Sequence, residues 1–84
     1  MDSAEVYKRL DAVFQDVFDD DSIVLRPDLT ANDVEDWDSL KHIRLMLSVE
    51  KAFHVSFSAS EVGNLKNVGE LADLIQAKLK KHGP

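Results

Sequence analysis

The 84-residue sequence contains no cysteine. Disulfides, thiolate zinc sites and a cysteine nucleophile are therefore excluded. No apolar run approaches the ~18 residues that a membrane-spanning helix needs. The opening Met1-Asp2-Ser3-Ala4-Glu5 is acidic and lacks the apolar core of a signal peptide. A soluble, cytoplasmic protein with no membrane partner is the expectation. There is no repeat, no low-complexity tract and no internal linker. The chain is too short for two cores, so residues 1–84 are expected to form one domain. Residues 82–84 are read as a frayed tail. Hydrophobic residues make up 44% of the chain, enough for a packed interior and too many for a disordered one. So small a core leaves only modest stability.

The formal net charge of -6 is unevenly distributed. Residues 1–40 hold 12 acids and 3 bases, whereas residues 41–84 hold 4 acids and 7 bases. Phosphate neutralisation needs a concentrated basic patch, so nucleic acid is not an expected partner. An acidic surface that attracts basic partners fits the first half better.

Hydrophobic spacing predicts an all-α fold, a small antiparallel helical bundle of three main helices plus one short helix, with a long first connection. The first helix runs from about Ser3 to Phe18, carrying Val6, Leu10, Val13, Phe14 and Val17 on one side. Asp2 can cap it, with Glu5 completing a capping box. Asp19-Asp20-Asp21 ends it, because anions at a helix C-terminus oppose the macrodipole. Residues 19–37 form the connection. A structureless loop of that length is unusual in a compact fold. Ile23, Leu25, Leu29 and Val34 are therefore expected to hold it down, with one short turn near Thr30–Asp33. The second helix spans about Ser39–Phe53 with Asp38 as its cap. Ser58 and Glu61 offer a capping box for a short helix near 59–64. Asn67 and Glu70 repeat that pattern before a last helix with Val68, Leu71, Ala72, Ile75 and Leu79 inward. Lys78, Lys80 and Lys81 close that helix favourably for its dipole.

The second helix has an apolar arc wider than a bundle helix needs. Leu45, Met46, Val49 and Phe53 face the core, with His42 at the centre of that arc. Leu40, Ile43 and Leu47 fall on another side, beside Lys41, Arg44 and Lys51. Two readings remain open for this second group: an exposed docking surface, or apolar contacts covered by the long connection.

Asp38-Ser39-Leu40, at the start of an apolar helix after an acidic loop, resembles the acyl carrier protein family. The resemblance runs from the first helix to Ile75. It rests on Leu29-Thr30, on Asp36-Trp37-Asp38-Ser39-Leu40, on 45–53 ending in Phe53, and on Asn67-Val68-Gly69-Glu70-Leu71. It implies that Ser39 carries 4'-phosphopantetheine, taken from coenzyme A, through a phosphodiester. The thiol of that arm would hold acyl groups as thioesters, and the protein itself would be a carrier rather than an enzyme. The position suits this chemistry: a first-turn serine is accessible, and free backbone N–H groups and the helix dipole favour an anion. Implied partners are a phosphopantetheinyl transferase and acyl-loading and acyl-processing enzymes, met by a monomeric carrier. Asp38 and Leu40 would be read by the transferase, and tethering makes each transfer effectively intramolecular.

The sequence also departs from the family pattern. Fatty-acid carriers typically have an acidic second helix, whereas Lys41, His42 and Arg44 follow the motif here. Acidity is kept upstream in Asp33, Glu35, Asp36 and Asp38. Charge complementarity governs partner choice and on-rate. A dedicated pathway is therefore expected (a polyketide, a modified sugar or polysaccharide, or similar) rather than bulk fatty-acid synthesis. The recognition surface is expected to include Asp36, Trp37, Asp38, Leu40, Lys41, Ile43, Arg44 and Leu47. Trp37 replaces a residue that is small in many relatives. It either shapes partner contact or, as a large aromatic, anchors the loop, and the second reading is preferred. His42 is read as a partly buried, hydrogen-bonded histidine before a cavity-wall residue.

Other chemistries fit less well. Asp38, Ser39 and His42 do not make a hydrolase triad, because adjacent helix residues do not face one another. The carboxylates at 19–21 and 33–38 lack the spacing and glycine of a calcium loop, and no metal site is expected. A peptidyl or aminoacyl carrier is the near alternative, although such carriers usually show glycines before the serine. A helical adaptor with no prosthetic group is the alternative of a different class.

Overall fold

The computed structural model describes residues 2–19 and 23–82, with the side chains of Lys81 and His82 outside the description. Among these residues the fold is all-helical: α1 (Ser3–Phe18), α2 (Ser39–Phe53), α3 (Ala59–Asn64) and α4 (Val68–His82), with a 3-10 turn at Ala31–Asp33. Asp20, Asp21 and the 83–84 part of the expected tail lie outside the described residues.

Each helix starts where a side chain replaces a missing intrahelical acceptor. The Asp2 carboxylate accepts the Glu5 N–H at 2.9 Å. Glu5 does not return the bond as a full capping box would. Its carboxylate turns along the helix to Arg9 at 3.3 Å. At α3 the reciprocal box is complete: the Glu61 N–H donates to Ser58 Oγ at 3.1 Å and the Ser58 N–H to Glu61 Oε1 at 2.9 Å. At α4 the Glu70 N–H donates to Asn67 Oδ1 at 2.8 Å, but the Glu70 carboxylate reaches past Asn67 to the Lys66 N–H, also at 2.8 Å.

α1 and α2 both end in a residue with positive φ, Asp19 at 51° and His54 at 57°. The chain turns at these points without glycine, at a modest conformational cost. After His54 the Val55 N–H returns to the Glu50 carbonyl at 3.2 Å, and the Phe57 N–H donates to the Glu50 carboxylate at 2.7 Å.

The core is one cluster. α1 contributes Val6, Leu10, Val13, Phe14 and Phe18; α2 contributes Leu45, Met46, Val49 and Phe53; α4 contributes Val68, Leu71, Ala72 and Ile75. The apolar stripes thus bury as their spacing implies, except that Phe18 takes the buried place expected of Val17, which is half-buried. α1 packs against both α2 and α4.

The long connection lies down on this core. Leu29 is buried, and Ile23, Leu25, Val34 and Trp37 pack against the cluster. Its backbone is stitched to the start of α4: the Val68 N–H donates to the Leu29 carbonyl and the Gly69 N–H to the Pro27 carbonyl, both at 2.9 Å. A β-carbon on Gly69 would stand 2.9 Å from the Pro27 oxygen, so this crossing requires glycine. The turn beside it is closed by Asp33, whose carboxylate accepts the Thr30 N–H at 3.0 Å. That bond, with help from the Thr30 hydroxyl and Arg26, holds the Asp33 carboxyl below its ordinary pKa.

Candidate functional site

The site is the entry to α2. Asp38 stands at the cap in extended conformation, and its carboxylate accepts the Lys41 N–H at 2.9 Å. The Asp38 carbonyl accepts the His42 N–H at 2.9 Å and starts the helical ladder. Ser39 is therefore the first helical residue, exposed, with its hydroxyl in no hydrogen bond among the described residues. The backbone N–H groups of Ser39 and Leu40 precede the first intrahelical bond and point outward along the positive end of the helix.

The loop before Ser39 is held by an aromatic group. The Trp37 ring stands 5.4 Å edge-on from Phe14 and 5.9 Å from Phe18, by ring centroids. Its indole N–H donates to His42 Nδ1 at 3.0 Å. His42 Nε2 lies 3.0 Å from the Val62 carbonyl. An indole nitrogen only donates, so Nδ1 must accept, and Nε2 carries the hydrogen that is given to Val62. One imidazole thus ties the loop, α2 and α3 together. Trp37 is the loop anchor, and His42 the partly buried, hydrogen-bonded residue, that the sequence favoured. Beside them is a cavity of about 40 Å³ walled by Ala31, Trp37, His42, Met46, Leu65 and Leu71, among others.

The expected recognition residues separate into two groups. Asp36, Asp38, Leu40, Ile43, Arg44 and Leu47 are exposed. Leu40, Ile43 and Leu47 are 65%, 54% and 55% exposed, so the connection does not cover the second apolar face. Trp37 and Lys41 are half-buried. The Lys41 ammonium turns away from the free face, donating to the Val17 carbonyl at 3.1 Å and lying 5.9 Å over the Phe18 ring. The acceptors at Val17 and Val62 are backbone carbonyls, which no residue pattern reveals.

α3 flanks this region and is held to α4 by Lys78, whose ammonium is 3.0 Å from Glu61 and 5.7 Å over the Phe57 ring. The Ser58 backbone bond, followed by Lys78, holds the Glu61 carboxyl below its ordinary pKa.

Residues 8–75 match the family model described as the phosphopantetheine attachment site. Among solved structures, the chain is similar to the holo acyl carrier protein of Geobacter metallireducens, at 45% identity and a TM-score of 0.86, covering 92% of this chain and 88% of that one. The chain belongs to the acyl carrier protein family. No curated protein sequence matches it significantly. As an acyl carrier protein it is a carrier, not an enzyme, and its prosthetic group is 4'-phosphopantetheine. The α2 entry fits such a group: it offers a free hydroxyl, two unpaired N–H groups and the helix dipole to one phosphodiester. This carrier has no thiol of its own. Among the described residues no group of side chains could hold a metal ion, and no helix is long and apolar enough to cross a membrane.

Proposed function

We propose that Ser39 is the attachment point of the 4'-phosphopantetheine arm and that α2 presents the loaded arm to partner enzymes of a dedicated biosynthetic pathway. The observation that carries the first part is the exposed, unpaired Ser39 hydroxyl on the first residue of a capped helix. When bound, the arm supplies the thiol on which acyl groups travel as thioesters. Asp38 fixes the first turn, and the N–H groups of Ser39 and Leu40 face the phosphodiester. The exposed ridge of Leu40, Ile43 and Leu47 gives the transferase and the acyl-handling enzymes an apolar contact of the kind usually kept for partners. Asp36 and Arg44 border it and set charge preference, while Trp37 and Lys41 hold its shape from beneath.

Intact-mass analysis after incubation with coenzyme A and a broad phosphopantetheinyl transferase tests the attachment. A single addition is expected, absent in Ser39→Ala. An unmodified wild-type chain, as a helical adaptor would give, overturns the reading. The pathway is tested through Arg44, the exposed cation beside the ridge. Turnover with a general fatty-acid ketosynthase is expected to be low and to rise in Arg44→Glu. Full turnover by the wild-type protein would remove the dedicated-pathway reading, and loading by an amino-acid-activating enzyme would favour an aminoacyl carrier instead.

A further inference from the structure

We propose that the Trp37–His42 hydrogen bond is a clasp across the first turn of α2, and that His42 is thereby a positioning residue for transfer of the prosthetic arm to Ser39. The inference rests on the carrier reading of Ser39. The indole N–H and His42 Nδ1 join residues five apart at 3.0 Å, and Asp38, Ser39, Leu40 and Lys41 are enclosed between them. Both ends of this stretch are fixed independently. The Trp37 ring is lodged against Phe14 and Phe18, and the Trp37 backbone N–H donates to the Val34 carbonyl at 3.1 Å. His42 stands in the helical ladder, its backbone N–H bonded to the Asp38 carbonyl at 2.9 Å. The Asp38 carboxylate does not replace the clasp, because it reaches the Lys41 N–H within the turn and does not tie the turn to the loop before it.

The second ring nitrogen accounts for a histidine at this place. Nε2 lies 3.0 Å from the Val62 carbonyl. A carbonyl only accepts, so it holds the proton on Nε2 and leaves Nδ1 to accept from the indole. α3 thus sets the tautomer, and the tautomer sets the clasp. In the transfer, Ser39 Oγ attacks the phosphorus of coenzyme A that bears the pantetheine arm. One O–P bond forms, the bond to adenosine 3',5'-bisphosphate breaks, and the hydroxyl proton passes to a base on the transferase. Such a displacement needs the oxygen in line with the leaving group, and a misplacement of about 1 Å costs about 100-fold. The Ser39 hydroxyl makes no hydrogen bond among the described residues, so the backbone that carries it sets its direction.

The test measures loading of the full chain by a broad phosphopantetheinyl transferase with coenzyme A, over a range of carrier concentrations and read by intact mass. The wild-type protein is measured first, and if its Ser39 takes no arm the carrier reading itself fails. Two substitutions then each keep one arm of the imidazole. Asparagine sets an oxygen where Nδ1 stands and keeps the bond from Trp37, whereas glutamine sets a nitrogen at the reach of Nε2 and keeps the bond to Val62. Each loses one hydrogen bond, so a purely structural role would lower both melting temperatures and leave the two loading rates alike. The clasp separates them. His42→Asn is expected to load like wild type. His42→Gln is expected to fall about tenfold in kcat with KM unchanged, because the exposed surface is intact. Trp37→Phe keeps an aromatic ring against Phe14 and Phe18 without the indole N–H, and is expected to match His42→Gln. The chain has a single tryptophan, so its indole N–H resonance verifies that the bond persists in His42→Asn and is lost in His42→Gln. Equal loading by folded His42→Asn and His42→Gln, or undiminished loading by Trp37→Phe, overturns the clasp while the modified wild-type protein leaves the carrier reading standing.

Discussion

The Lys41 ammonium donates to the carbonyl of Val17, 24 residues earlier in the chain, at 3.1 Å. A cation that follows Asp38-Ser39-Leu40 in sequence thereby serves the last turn of α1, where carbonyls lack intrahelical partners and a positive charge is favoured.

Replacing Lys41 by methionine is therefore expected to lower stability by about 1 kcal/mol. Denaturant unfolding measures this, with Arg44→Met as the control. Arg44 is exposed on α2, and its loss is expected to leave stability within about 0.5 kcal/mol of wild type. Equal losses in the two variants would show that the Val17 contact contributes nothing. Charge reversal at Lys41 alone would confuse partner recognition with helix packing, which makes Arg44 the cleaner probe of the surface.

Gly69 crosses Pro27 at close range. Its N–H bonds the Pro27 carbonyl, and an added β-carbon would press on that same oxygen at 2.9 Å. Gly69→Ala cannot be accommodated by a flexible side-chain end, since the obstacle is backbone. A loss of about 1–3 kcal/mol is expected, as for other overpacked sites. Gly63 is the comparison, because a β-carbon there would meet nothing within 4 Å. Gly63→Ala is expected to be neutral or slightly stabilising, because alanine favours a helix over glycine. Thermal unfolding of both variants separates the two.

The contrast between these residues shows what a sequence carries. The stripes of α1, α2 and α4 are legible because burial follows helical period, and the wide apolar arc of α2 correctly separates Leu45, Met46, Val49 and Phe53 from Leu40, Ile43 and Leu47. The complete box at Ser58 and Glu61 is legible because both partners lie three residues apart. Lys41 and Arg44 look alike in sequence, and only the approach of the α1 C-terminus distinguishes them. The place of His42 on the core arc implies a need for partners, and Trp37 is near enough to suggest one. The Val62 carbonyl is not legible, because every residue carries that group and only the packing of α3 selects it. Glu5 and Glu70 depart from the reciprocal box because each finds a neighbouring partner that competes with the cap, the Arg9 side chain for Glu5 and the Lys66 N–H for Glu70.

Asp38 supports the first turn of α2, which carries Ser39, through the Lys41 N–H. Asp38→Ala is expected to cost about 1 kcal/mol through loss of the cap. It is also expected to slow modification of Ser39, since a frayed first turn no longer presents the hydroxyl in one geometry. Asp38→Asn keeps an oxygen for the Lys41 N–H and is expected to restore stability. Any slow loading that persists in Asp38→Asn then reports the carboxylate's charge at the transferase surface. Unfolding curves and initial rates of loading for the two variants distinguish cap from contact.

Glu61 gives the fold a dependence on acid. Its folded pKa is depressed, first by the Ser58 N–H and then by Lys78, relative to an unfolded value of about 4.3. A depressed carboxyl contributes stability that is fully present above the unfolded value and disappears as pH falls through the folded one. Glu61→Gln retains an oxygen for the Ser58 N–H, as glutamine does in this type of cap, but loses the charge opposite Lys78. The wild-type protein is therefore expected to be the more stable of the two at neutral pH. The gap is expected to close as the solution is acidified below the unfolded value and through the depressed folded one, where the carboxyl takes up its proton. Melting temperatures of both proteins across this range check the sign. A gap that stays constant into acid would mean that the charge on Glu61 does not hold α3 to α4.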